Sequence, residues 1–275
     1  MSNARSLELP GGIQMPSLAL GTWPMQGGEA AQAVESALRL GYRHIDTAEN
    51  YENEDGVGEG IRRSGLDREE VFITSKFNKK WHSVAGARQA WENSVRRLGV
   101  DYLDLFLIHW PNPDQGTYVE AFEGLVKLQS EGKVRAIGVS NFKPTHLQHL
   151  LKAGLHPAVN QIQLNPTCVN PTAQAFHREQ GIKTVAYTPL GRGTEFLDEP
   201  VLRELAGKYG KTAAQVTLRW HVQQGIGAAP KSANPERQQQ NLEIFDFELE
   251  PEEIDRINAM DTGVTAKMDS DSFGH

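Results

Sequence analysis

The chain has 275 residues, 39% of them hydrophobic, and a formal net charge of −7. That length suits one large α/β domain with a substantial core, and the acidic balance argues against a nucleic-acid or anionic-membrane partner. The single cysteine, Cys168, excludes an intrachain disulfide and a cysteine-based metal site, so a reducing cytoplasm is the expected setting. No apolar run reaches transmembrane length, and no charged-then-apolar leader opens the chain. One soluble domain spanning 1–275, monomeric and without metal, is expected.

In chain order, residues 7–9 and 13–15 flank Pro10-Gly11-Gly12 and read as a small hairpin. Residues 17–20 form the first main strand, closed by Gly21-Thr22-Trp23. Further apolar runs at 43–46, 71–75, 103–108, 134–139, 158–162, 183–187 and 226–229 bring the strands to eight. Such continuous runs suit a parallel sheet covered on both sides. Between them lie helical stripes, with Ala87, Trp91, Val95 and Leu98 on one face and Phe122, Leu125, Val126 and Gln129 on another. Gly41, Gly65, Gly99, Gly132, Gly154, Gly181, Gly210 and Gly225 suit left-handed helix stops. The repeating unit predicts a (β/α)8 TIM barrel with a short N-terminal hairpin. Patterns at 199–208 and 212–223 predict an extra helix before the last strand, and 235–244 and 251–260 are the last helices. Residues 1–5 and 262–275 fall outside the repeat and are expected to be flexible or peripheral.

Three strands end on a functional group. Residues 43–46 close on Asp46, with Tyr51 five residues on; 71–75 lead into Lys76, and 103–108 lead into His109. A carboxylate ending an apolar strand is costly unless a cation meets it, and Lys76 is the cation on the next strand. Carboxyl ends of barrel strands are where barrel chemistry sits. The quartet reads either as a barrel-mouth ion pair with two ordinary loop residues or as a general-acid site. In the second reading Lys76 lowers the pKa of Tyr51. Asp46 keeps Lys76 protonated, and His109 orients the oxygen that Tyr51 protonates. None of the four can reduce anything, so a hydride has to come from a cofactor.

Residues 41–51, Ser75-Lys76 and Leu107-Ile108-His109-Trp110-Pro111 resemble the aldo-keto reductase superfamily, most nearly its short members related to 2,5-diketogluconate reductases. The likeness runs from Gly21 to Asp261. It implies a (β/α)8 barrel, NADPH, and a tetrad of Tyr51, Lys76, Asp46 and His109 with tyrosine as proton donor. Aldehydes, ketones, small dicarbonyls and keto-sugar acids are the implied substrates. The alternative is an NADPH-holding regulatory subunit of the same fold with little turnover. A lysine Schiff-base aldolase would need an unpaired Lys76.

Ser140, Asn141 and Gln161 end two adjacent strands. They either satisfy the barrel mouth or grip a carboxamide; the resemblance implies the nicotinamide amide, with Tyr187 stacked on its ring. The loop Tyr187-Thr188-Pro189-Leu190-Gly191-Arg192-Gly193 is either a plain turn or a place where backbone amides approach a pyrophosphate. Thr188, Leu190 and Gly191 are its cofactor candidates, joined by Gly21 and Thr22. Lys231, Ser232 and Arg237 surround a helix start at Pro235, which is either a solvated basic end or an anion site. By resemblance they hold the 2′-phosphate of NADPH, with Gln240 and Asn241 near the adenine, although Gln240 stands where glutamate is common. Gly56-Val57-Gly58-Glu59-Gly60 does not join a strand to a helix and is read as part of the second helix. Trp23, Trp81 and Trp110 follow strand ends as walls of a substrate pocket or as seals of the barrel top. The short tail leaves little to shape substrate choice, so broad activity on small carbonyls is expected.

Overall fold

The computed structural model describes residues 5–192, 195–264 and 266–275, so residues 1–4 of the N-terminal segment and Gly193 of the predicted pyrophosphate loop lie outside the described residues. An antiparallel hairpin, β1 (Ser6–Leu9) and β2 (Ile13–Pro16), comes first. Strands and helices then alternate: β3 (Leu20–Gly21), α1 (Gly27–Leu40), β4 (His44–Asp46), α2 (Glu54–Ser64), β5 (Phe72–Phe77), α3 (Val84–Leu98) and β6 (Leu103–Ile108). The alternation continues through α4 (Tyr118–Ser130), β7 (Val134–Ser140), α5 (Pro144–Lys152), β8 (Val159–Gln163), α6 (Pro171–Glu179) and β9 (Lys183–Tyr187). Two helices, α7 (Pro200–Tyr209) and α8 (Ala213–Gln223), precede β10 (Gly227–Ala229), and α9 (Pro235–Leu242) and α10 (Pro251–Asn258) end the order.

Strands β3 to β10 form one eight-stranded parallel sheet in sequence order. Every residue of β5 and β6 is buried, which is why their apolar runs are continuous rather than alternating. The seam closes where Ala19 N–H donates to Ala228 O at 2.9 Å and Gly21 N–H donates to Pro230 O at 3.0 Å. A Cβ on Gly21 would stand 2.7 Å from the Ala229 carbonyl oxygen, so a side chain there would push the seam apart. The hairpin supplies Leu7, Leu9 and Met15, which pack against Phe72, Leu105 and Ala136 and close the end where the strands start.

All eight predicted stop glycines have left-handed φ, from 62° at Gly210 to 114° at Gly41. The α3 stripe buries Ala87, Trp91 and Leu98 as expected. The α4 stripe is corrected: Phe122 and Leu125 are buried, but Val126 and Gln129 face solvent, and Ala121 and Leu128 complete the inner face. Each step along a helix turns about 100°, so Val126 leaves the face that Leu125 occupies. The glycine run lies inside α2, as read. Added Cβ atoms on Gly56 and Gly60 would meet carbonyl oxygens beside α1 at 2.4 and 2.5 Å, and one on Gly58 would meet Leu98 O at 2.1 Å. Glycine there is helix packing. Among the described residues no helix is long and apolar enough to cross a membrane.

Candidate active site

Asp46 ends β4, Lys76 lies near the end of β5, and His109 follows β6 directly. Tyr51 closes a one-turn 3-10 helix, Glu49–Tyr51, in the loop after β4. Parallel register sets these strand ends side by side, with Asp46 paired to Thr74 and Lys76 to Leu107. Lys76 is fully buried, and its ammonium has three oxygen partners: Asp46 Oδ1 at 2.7 Å, Thr47 O at 2.9 Å and Tyr51 OH at 3.3 Å. The other Asp46 oxygen accepts from Gln161 Nε2 at 2.7 Å. The Tyr51 and His109 rings meet edge to face, centroids 5.9 Å apart. The predicted quartet is one cluster.

Its electrostatics differ from the sequence expectation in one respect. Burial pulls the Lys76 pKa down, but the Asp46 carboxylate and Tyr51 outweigh it, and the net shift is upward. Burial raises the Tyr51 phenol above its ordinary value, and the Lys76 charge offsets only part of that rise. The expected lowering by Lys76 is present, but burial outweighs it and the net shift is upward. The ammonium lies closer to Asp46 than to the phenol, and the phenol loses hydration that a neighbouring charge does not fully replace. His109 is held well below 6.5 by burial, then by the charge on Lys76 and by His275. At neutral pH the set is a charged lysine, a protonated phenol and a neutral imidazole.

A cavity of about 890 Å³ opens over the cluster, lined by Asp46, Tyr51 and His109. Ser140, Asn141, Gln161 and Tyr187 line it too, as an interlocked set. Ser140 Oγ donates to Gln161 O at 2.9 Å, Asn141 Nδ2 to His109 O at 3.0 Å, and Tyr187 OH to Asn141 Oδ1 at 2.7 Å. Gly21, Thr22, Thr188 and Leu190 also line it, with Lys231, Ser232, Arg237, Gln240 and Asn241. Gly191 does not. Asn234 caps α9, its Oδ1 accepting from Arg237 N–H at 3.0 Å ahead of Pro235. Ser232 is held from behind by Gln238, whose Nε2 donates to Ser232 O and to Ala33 O, each at 2.9 Å.

The tryptophans separate. Trp23 and Trp110 line the cavity and Trp81 does not. The Trp81 indole instead donates to Glu49 Oε1 at 2.9 Å, which removes it from the predicted pocket wall. Sequence reasoning missed Arg192, whose guanidinium lies 4.1 Å over the Trp23 ring, because its loop was read for the approach of backbone amides to a pyrophosphate. It also missed the tail. Met268, Phe273 and His275 line the cavity, so this part of the tail is not peripheral. An aromatic and an imidazole among small polar residues were the available signal.

The residues fit a nicotinamide dinucleotide. Two cations and a serine at the start of a helix suit phosphate, and the buried hydroxyl of Thr188 has no partner among the described residues. The volume is that of a ligand site rather than a packing defect.

Charged and polar groups converging at the carboxyl ends of eight parallel strands define a (β/α)8-barrel enzyme. Residues 17–262 match the family model described as Aldo/keto reductase family. The chain is 41% identical over 276 residues, all of both chains, to the methylglyoxal reductase DkgA of Escherichia coli K12. It is 42% identical over 264 residues to 2,5-diketo-D-gluconic acid reductase B of a Corynebacterium, covering 96% of this chain and 95% of that one. A Gox0644 variant solved in complex with NADPH superposes with a TM-score of 0.92 at 38% identity, over 98% of each chain. The chain belongs to the aldo/keto reductase family.

Proposed function

We propose that this chain reduces small dicarbonyls and aldehydes to alcohols, with methylglyoxal-like compounds and keto-sugar acids as its substrate class and Tyr51 as its proton donor. Membership of the family makes it an NADP-dependent oxidoreductase, and NADP(H) is its cofactor. The relatives named for methylglyoxal and diketogluconate reduction support the substrate class. The observation that carries the chemistry is the ammonium of Lys76, bound to Asp46 and Thr47 and 3.3 Å from the Tyr51 hydroxyl.

When bound, NADPH supplies the hydride. Lys231, Ser232 and Arg237 would hold its 2′-phosphate, and Ser140, Asn141 and Gln161 its carboxamide. The chain supplies the proton and the field. Neutral His109 presents an N–H to the carbonyl oxygen, which orients it toward Tyr51. As negative charge grows on that oxygen, the phenol gives up its proton, and the adjacent ammonium stabilises the phenolate left behind. The raised resting pKa of Tyr51 keeps that proton in place at neutral pH.

The test is NADPH oxidation with methylglyoxal, an aromatic aldehyde and 2,5-diketogluconate, in wild type and in Tyr51→Phe. Loss of the general acid should lower kcat by about 10³-fold or more and leave the NADPH dissociation constant within about twofold. NADPH binding without turnover of any carbonyl would overturn the reading in favour of a cofactor-holding subunit.

A further inference from the structure

The tail that lines the cavity is tied down from helix α5, on the outside of the barrel. Lys143 Nζ, one residue ahead of α5, donates to Asp269 Oδ1 and Asp271 Oδ2, each at 2.5 Å. His146, in the first turn of α5, is buried, and its Nδ1 accepts the Lys143 backbone N–H at 3.1 Å. That bond leaves the imidazole proton on Nε2, 2.9 Å from Asp271 Oδ1. The neutral ring therefore already donates to the tail.

Beyond this anchor the tail meets the catalytic cluster. Phe273 packs edge-on against Trp110 with centroids 4.9 Å apart, and His275 lies 5.9 Å from His109 and 6.2 Å from Trp110. His275 O accepts from Lys79 N–H at 2.5 Å. Gly274 is pressed so closely on Asn112 that an added Cβ would stand 2.3 Å from Nδ2. The aromatic seats are tight, while the anchoring carboxylates are half exposed, Asp269 at 61% and Asp271 at 52% of their side-chain surface.

We propose that Lys143 and His146 are positioning residues for substrate selection. Through Asp269 and Asp271 they seat Phe273 and His275 beside His109, and the seated tail favours compact dicarbonyls over carbonyls carrying an aromatic ring. This rests on the reductase reading of the cavity. Exposed ion pairs are individually weak, so the seat is held by a margin that one substitution can shift severalfold. Neither anchor residue touches the reacting atoms, so the effect belongs in KM and in the ratio between substrates rather than in the chemical step.

Lys143→Ala and Asp271→Asn in the full chain test this, with Lys143→Arg as the charge-conserving control. The first readout needs neither substrate nor turnover. Exchange of the Lys79 amide, whose acceptor is His275 O, should speed up about three- to tenfold in both variants and stay near wild type in Lys143→Arg. In steady state the KM for methylglyoxal should rise severalfold. The kcat/KM ratio of an aromatic aldehyde to methylglyoxal should rise about three- to tenfold, with kcat for methylglyoxal and NADPH affinity nearly unchanged. Unaltered Lys79 exchange overturns the anchor. Faster exchange with an unchanged substrate ratio overturns the selection role alone. A wild-type chain that reduces no carbonyl overturns the reductase reading, and the selection role with it, whatever the exchange shows.

Discussion

The barrel holds a buried carboxylate near each end, and the two do different work. Where the strands start, Asp104 on β6 accepts from Arg68 Nη2 at 2.7 Å and Ile73 N–H at 2.9 Å on one oxygen, and from Arg135 Nη1 at 2.7 Å on the other. At the carboxyl end Asp46 is likewise met on both oxygens, by Lys76 and Gln161. The difference lies in the cations and what else they reach. Arginine keeps its proton at any working pH, and the Arg68 guanidinium lies over the Tyr102 ring at 3.9 Å. None of the partners of Asp104 lines the cavity. Lys76 is a compact ammonium with three donors, and one of them faces a phenol that does line it. A buried ion pair becomes chemistry when its cation also touches a group that can give up a proton.

Paired substitutions sharpen this contrast. Asp46→Asn should lower kcat by about 10²–10⁴-fold, because Lys76 loses the charge that keeps it protonated beside Tyr51. Asp104→Asn should instead cost about 3–5 kcal/mol of stability by leaving two arginines partly unpaired, read as a lower urea midpoint, with kcat of the folded chain within about twofold. A folded Asp104→Asn chain without turnover would break the contrast.

Elsewhere the chain keeps buried groups neutral rather than pairing them, and this gives a pH test. Burial pushes His177 down to about 4, and its two ring nitrogens meet Asn160 Nδ2 and Thr184 Oγ1, partners that suit a neutral imidazole, whereas the unfolded chain takes up that proton near 6.5. Between these values the unfolded state binds more protons, so stability is full above the unfolded value and falls as the pH drops toward 4. The loss is of order 3 kcal/mol. Urea midpoints at several pH values would show it, and a flat profile would mean that the ring titrates alike in the folded and unfolded chain.

The anion end is expected to act on affinity rather than rate. Lys231→Met should raise KM for NADPH about tenfold and leave KM for NADH nearly unchanged, since only the former carries the 2′-phosphate. Equal effects on both would place Lys231 elsewhere on the dinucleotide. The smallest expected effect is the pH dependence of carbonyl reduction. His109 titrates well below 6.5 and Tyr51 above 10, so kcat/KM should be level between those values. A step near 6.5 would make His109 an acid in the reaction.

The cluster of Asp46, Tyr51, Lys76 and His109 was legible because three of the four lie at strand ends and the fourth in the loop that follows. In a parallel barrel, adjacent strand ends converge whatever the details of the core. Gly56, Gly58 and Gly60 were read correctly for a similar reason, since their place inside a helical pattern excluded a phosphate loop. Trp81 was misplaced because its spacing from Lys76 is local, while its hydrogen bond to Glu49 crosses from one loop to another. Gln238 escaped notice because its bonds to Ala33 and Ser232 bridge parts of the chain far apart in sequence.

The sequence by itself determined the repeating unit, the helix stops and which polar groups stand at the barrel mouth. These follow from periodicity, glycine conformation and strand length, all of which act over a few residues. Only the tertiary structure decided that the tail, held at α5, runs back to His109. It alone decided that Trp81 leaves the pocket, and that burial outweighs Lys76 in setting the Tyr51 pKa. Each of those depends on a sum of long-range contacts and lost hydration, which no local pattern in the chain records.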